Sequence, residues 1–360
     1  MEISSDRIHW IDVAKGLMII GVVLNHIPNL CTRQGVNISS FPWWITFGSA
    51  YGVFTMQSFF ILSGYTSHFD IGPLPFLWKQ VKALLFPYVS FTLICFGFEH
   101  LYFNEPFYLD CFGEEYFFLV EGYWFLTALF LAKILVYFFH KTKNCWAELS
   151  LGLVLLIIGF AISEFYSNKA EPSHYHNWFH YRNGLCMALF ITVGSIFKSY
   201  KIVEKKGLII SILYTVFYCI TFPLLLLRIP YSRYLAAPSY THYFVPNLSD
   251  VNGFFMIPSY LFYTITGSIM IFWICQKLRQ SKFLEFFGKS SLIVYCVHFS
   301  FLKLFIKLLS PYYIKDNIVG SGLFFLIIAV LTLLSSAIVA KVFEYKPFIY
   351  LVGKFKSKKA

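Results

Sequence analysis

Apolar runs about twenty residues long, broken by short polar, basic or aromatic stretches, set the pattern of this chain from end to end. Ten runs stand out, near 13–31, 43–65, 82–103, 118–140, 147–165, 179–197, 207–227, 254–276, 290–310 and 320–342. An α-helix rises ~1.5 Å per residue and the hydrocarbon core of a bilayer is ~30 Å thick, so each run is long enough to cross. The pattern predicts an all-α, polytopic membrane protein with about ten transmembrane helices. Few residues are left over, and 1–360 is expected to form a single integral membrane domain. The first run follows a polar, acid-containing segment and is itself long enough to span. That predicts a retained helix, not a cleavable signal peptide.

Composition fits this picture. The chain is 58% hydrophobic and 13% charged, with 43 Phe and 25 Tyr, whereas a soluble domain carries about a quarter charged residues. A formal charge of +11 in a soluble chain suggests nucleic acid; in a membrane chain it reflects basic cytoplasmic loops, and no nucleic-acid partner is expected. With the N-terminus inside, 20 of the 29 Lys and Arg fall on the cytoplasmic side and eight on the other, with Lys133 within the fourth run. The asymmetry predicts an N-in, C-in topology and an even number of spans. The eight cysteines show no C-x-x-C pairing and lie mostly within apolar runs. They read as small core hydrophobes, so neither a disulfide framework nor a metal site is expected.

The first run carries the most chemistry. Lys15 is followed by ten mostly apolar residues and then by His26. Eleven helical steps are close to three turns, which puts both on one face, ~16 Å apart along the axis. With Lys15 at a membrane surface, His26 sits near mid-depth, where an ionisable group is a functional candidate. Asp12 lies one turn before Lys15, Asn25 adjoins His26, and Pro28 removes a backbone donor and is expected to kink or end the helix. Two readings compete for His26: a hydrogen-bonded tie to a neighbouring span, or a buried neutral imidazole acting as a general base.

The same duality holds elsewhere. Lys15 is a snorkelling anchor or, with Lys79 and Lys82 on the same membrane side, part of a cationic mouth for a phosphorylated donor such as coenzyme A. Ser63 and Gly64 permit close backbone approach by a helix or a ligand. Trp124, after Glu121, is an interfacial anchor or lines an outer pocket. Phe286 to His298 reads as a basic loop, a glycine, two hydroxyls and a helix with a second intramembrane histidine, His298, and Tyr295 one turn earlier. The outer loops carry Glu105, Asp110, Glu114 and Glu115, then Glu171, His174, His176, His180 and Arg182, then a Tyr-, Pro- and His-rich stretch over 228–252. Aromatic rings and carboxylates together suit a carbohydrate; interfacial belts are the plainer reading.

These pieces, in this order, resemble the acyltransferase-3 family of integral membrane acyltransferases, particularly its fucose 4-O-acetylase-like branch. The resemblance rests on Lys15-x10-His26 preceded by Ile11-Asp12, on Phe60-Ile-Leu-Ser-Gly-Tyr65, on Lys79 and Lys82 before Phe86-Pro-Tyr88, on Trp124-Phe-Leu, and on Phe287-Gly-Lys-Ser-Ser-Leu-Ile-Val-Tyr295 through His298. It covers nearly the whole chain. Many members carry Arg where Lys15, Lys79 and Lys82 stand here, and Lys lacks the bidentate fork of Arg.

The resemblance implies transfer of an acetyl group from cytoplasmic acetyl-CoA to a hydroxyl of a sugar in a surface glycan or polysaccharide. The residues expected to carry it are His26 and Asp12 for catalysis, Lys15, Ser63, Lys79, Lys82 and His298 for the donor, and Glu121, Trp124 and Arg182 for the acceptor. The expected partners are a glycan or lipid-linked sugar and membrane lipids, with a homo-oligomer compatible, and the expected location is the bacterial inner membrane. A transporter or flippase of a sugar or lipid-linked glycan is the rival reading, since polar residues at mid-membrane also mark transport paths.

Overall fold

The computed structural model describes residues 8–36, 43–103, 123–167, 180–226, 251–278, 281–314 and 317–353. Among these residues every regular element is helical. In chain order the helices are α1 (His9–Arg33), α2 (Trp43–Thr66), α3 (Pro73–Gln80), α4 (Phe86–Phe103), α5 (Trp124–Phe139), α6 (Cys145–Ser167), α7 (Tyr181–Tyr200), α8 (Ile202–Leu226), α9 (Val251–Lys277), α10 (Lys282–Lys289), α11 (Ser291–Leu309) and α12 (Ile318–Val342).

A helix occupies each of the ten apolar runs. Six stretches among the described residues are long and apolar enough to cross a membrane: His9–Arg33, Pro73–Tyr102, Trp124–Thr142, Cys145–Ile162, Ser291–Tyr312 and Ile318–Val342. Helices α7 and α8 meet at a bend of 112°, and the count rises to seven if that pair is one broken span. Lys201, at the bend, takes the left-handed conformation with φ 53°. The chain is an integral membrane protein of about six or seven candidate spans by this measure.

Two local expectations are corrected and a third is narrowed. Pro28 does not end α1, which continues to Arg33; the ring costs one backbone bond, and the rest of the helix still has its donors. The third run begins at Pro73, not near 82. Proline at a first helical position loses no bond, and α3 passes through a π-helical turn, Val81–Leu85, into α4. Such turns are frequently found at functional sites. The basic stretch before α11 is a helix, α10, not a loop. Ser281 caps it, its hydroxyl accepting from the Leu284 N–H at 3.3 Å, and its aromatic residues alternate with Lys282, Glu285 and Lys289 in an amphipathic pattern.

α1 packs against α2, α9, α10, α11 and α12, and α7 packs against α2, α5 and α6. Two reciprocal glycine contacts set the closest approaches. Gly16 of α1 lies against the Leu284 carbonyl while Gly288 of α10 lies against the Asp12 carbonyl. Gly64 of α2 lies against the Ile191 carbonyl while Gly194 of α7 lies against the Ile61 carbonyl. Neither pair leaves room for a Cβ. With no hydrophobic force between helices in lipid, such backbone proximity is how they gain packing energy. The Ser63-Gly64 pair therefore serves a helix contact through its glycine.

Candidate active site

α1 and α11 bring the two intramembrane histidines together. The imidazole centroids of His26 and His298 are 5.3 Å apart with the rings tilted by 39°, and His26 also stands 4.5 Å from the ring of Phe299. His26 is half-buried, whereas His298 is fully buried. His298 Nδ1 is 2.7 Å from the Tyr295 carbonyl and 3.2 Å from the Val294 carbonyl. A carbonyl oxygen only accepts, so Nδ1 carries the hydrogen and the neutral ring presents a lone pair on Nε2. That Nε2 has no hydrogen-bond partner among the described residues. A buried acceptor without a partner is costly and calls for a functional explanation.

Aromatic residues at the start of α5 pack against α11 beside the histidines. Tyr295 accepts the Phe125 N–H at 3.2 Å through its hydroxyl, and Tyr123 donates to the Cys296 carbonyl at 2.7 Å. Trp124 is half-buried and stacks on Phe60 of α2 with centroids 6.5 Å apart and planes 23° apart. The end of the segment that carries the fourth-run aromatics is thus tied to α11 one turn from His298.

The polar character continues along α11 and α4. Lys303 Nζ is 2.9 Å from Glu99 Oε2, and Ser300 donates to Glu99 Oε1 at 3.4 Å. Gln34, just past α1, donates to the Lys303 carbonyl at 3.2 Å. Both charges lie within apolar runs, where the sequence reading counts Lys303 only among the outer-side cations and names neither as a candidate site residue. The signal for them was available: opposite charges within two separate spans.

On the other side of the histidines, Lys15 is half-buried on α1 and Asp12 is buried, one turn before it. Lys79 is exposed on α3. Lys82, in the π turn, places its ammonium 5.7 Å from the centre of the Trp78 ring. Lys133 lies on α5, within the apolar run from Trp124 to Phe139. Ser63 is half-buried near the end of α2. Arg182 is buried at the start of α7, where its carbonyl faces Gly159 of α6. Glu121 lies outside the described residues, as do the loop residues Glu105, Asp110, Glu114, Glu115, Glu171, His174 and His176 and most of 228–252.

An open apolar groove of about 580 Å³ lies elsewhere, between α10, α12 and the chain after it, lined by Phe286, Leu334, Ile338, Lys341, Tyr345 and Phe348 among others. It includes none of the residues around the histidines.

Among the described residues, apolar helices long enough to span a bilayer with two histidines facing each other between them define a membrane protein with ionisable groups in its interior. The family model described as an acyltransferase domain matches residues 8–341. The chain belongs to the acyltransferase-3 family, and membership supports a membrane acyltransferase. No curated protein and no solved structure matches it.

Proposed function

We propose that the protein is a membrane-bound O-acyltransferase that moves an acetyl group from cytoplasmic acetyl-CoA to a sugar hydroxyl of a surface glycan or polysaccharide. The observation that carries this reading is the half-buried His26 beside a second imidazole whose tautomer is fixed and whose Nε2 is an acceptor. The ten helical runs cross the membrane with both termini inside, and the bacterial inner membrane is the setting that suits a cytoplasmic donor and a surface product.

His26 takes the proton of the acceptor hydroxyl as its oxygen attacks the thioester carbonyl. The tetrahedral species collapses, the C–S bond breaks, and the thiolate leaves with the proton returned by His26. The products are the ester and the free thiol of coenzyme A. An acyl-histidine is not needed for the balance. His298 holds the imidazolium that forms on His26 and orients the reacting end of the donor. Lys15, Lys79 and Lys82 hold the donor phosphates at the cytoplasmic mouth, and ~16 Å of helix between Lys15 and His26 matches a pantetheine arm rising between α1, α2 and α11. Asp12 steadies Lys15, and Ser63 donates to the donor. Glu121, Trp124 and Arg182 receive the sugar.

The test is purified protein in proteoliposomes with labelled acetyl-CoA and a glycan extract. Wild type should label the glycan, and His26→Ala should not while still inserting and folding. Full labelling by His26→Ala would remove the general-base role, and movement of an unmodified glycan across the bilayer with no label would favour a transporter.

A further inference from the structure

The open groove of about 580 Å³ beside α12 is apolar along its length and cationic at one end. Leu334, Ile338 and Lys341 line it at helical spacing, as one exposed stripe on α12. Lys341 stands at the end of a candidate span, Ile318–Val342, and so at headgroup level. Leu334 is two turns deeper, about 10 Å along the axis. Half of a hydrocarbon core is about 15 Å thick. The groove therefore runs from the membrane surface through most of one leaflet.

Its rim is charged. Lys341 Nζ lies 5.2 Å from the centre of the Phe286 ring, so α10 borders the cationic end. Lys282 and Lys289 are one turn before and one turn after Phe286, on its side of α10. Lys346 follows Tyr345, which also lines the groove. Two carboxylates answer these cations, and both are engaged. Glu285 is 3.3 Å from Lys289 and 3.5 Å from His9, and Glu344 is 3.2 Å from Lys341. Lys282 and Lys346 are exposed and have no carboxylate partner among the described residues. Positive charge is left over at the depth where lipid phosphates lie. On its other side α10 meets α1 through backbone, at Gly16 and Asp12.

We infer that the groove holds one anionic phospholipid, with an acyl chain along α12 and the phosphate among Lys282, Lys341 and Lys346, and that this lipid seats α10 against α1. Charge selects the occupant. A zwitterionic lipid fills the apolar part equally well but leaves the surplus cations unanswered. A second copy of this chain in a two-fold contact would bring the same cations to the same surface. With both termini inside, this end lies in the cytoplasmic leaflet, whose surface is anionic. The site includes none of the residues around the histidines and stands apart from the acetyl-transfer reading.

The experiment is native mass spectrometry of the full chain in detergent, titrated with phosphatidylglycerol or with phosphatidylcholine of the same acyl chains, with melting temperatures recorded alongside. Wild type should retain one phosphatidylglycerol about tenfold more tightly than phosphatidylcholine and should melt higher with it. Lys282→Gln should narrow that preference about fivefold, the worth of one lysine near an anionic surface. Ile338→Trp fills the groove from an exposed position and should abolish both the preferential retention and the rise in melting temperature. Leu334→Trp, deeper in the groove, should do the same, so a folding failure in one variant leaves the other to decide. Equal retention of the two lipids by wild type, or undiminished phosphatidylglycerol retention in the tryptophan variants, would overturn the inference. A dimer that Ile338→Trp dissociates and phosphatidylglycerol does not would give the groove to a second copy and overturn it too. Retention with no rise in melting temperature would remove the seating of α10.

Discussion

His26 on α1 and His298 on α11 are separated by 272 positions in sequence yet hold their rings 5.3 Å apart. The pair is asymmetric: His298 is locked by the Tyr295 carbonyl at 2.7 Å and fully buried, whereas His26 is half-buried. A fixed neutral acceptor beside a more accessible imidazole suits a base that must hold a proton briefly. His298→Ala should lower turnover by about 10²-fold, the low end of what positioned acid–base groups contribute. Coenzyme A affinity should change little, since the phosphates are held elsewhere. Single-turnover acetyl transfer alongside equilibrium coenzyme A binding checks this. A loss of affinity with unchanged turnover would place His298 in the donor cradle alone.

The glycine contacts predict a sharp contrast. Gly194 meets the Ile61 carbonyl, which is backbone and has nowhere to go, whereas a Cβ at Gly97 meets nothing within 4 Å. Gly194→Val should cost about 3 kcal/mol or prevent assembly of α2 against α7. Gly97→Ala should be neutral or should stabilise by up to about 1 kcal/mol through helix propensity. Melting temperature in detergent, followed by size-exclusion chromatography, separates the two outcomes. A Gly194→Val protein that melts like wild type would contradict the close packing of α2 and α7.

Much of the fold was legible because a bilayer-length apolar run has few other uses. The start of the third run is hidden because Lys79 and Lys82 interrupt the apolar pattern just before it, although Pro73 is an ordinary first residue for a helix. α10 escaped because eight residues with three charges do not look like a span. The alignment of Lys15 with His26 could be read from periodicity, since both lie on one helix. Contacts between helices could not: nothing in the sequence pairs Tyr137 with Phe76, Gly288 with Asp12, or His26 with His298.

The Glu99–Lys303 pair predicts a coupled pair of substitutions. Their contact is 2.9 Å with side chains 13% and 31% exposed, so neither charge is well solvated. Lys303→Met strands the Glu99 carboxylate and should destabilise by about 1–2 kcal/mol, less than a fully buried pair would lose. Adding Glu99→Gln should recover part of that loss, because the stranded charge is then gone. A double-mutant cycle on melting free energy gives the coupling. Strictly additive losses would show that the two side chains do not act as a pair.

Orientation yields to a labelling experiment at two exposed positions. Lys143 lies between α5 and α6, and Tyr312 follows α11 and is 80% exposed. The excess of Lys and Arg on one set of loops predicts that Lys143 faces the cytoplasm and Tyr312 the opposite side. With native cysteines blocked, Lys143→Cys should react with a membrane-impermeant maleimide only in inverted vesicles. Tyr312→Cys should react only in intact cells. The contrast matters for the chemistry, because Lys15 and Lys79 can meet a cytoplasmic donor only if their ends of α1 and α3 lie on the Lys143 side. Reaction of Lys143→Cys in intact cells would invert the protein, put the cationic mouth outside, and remove the cytoplasmic donor from the mechanism.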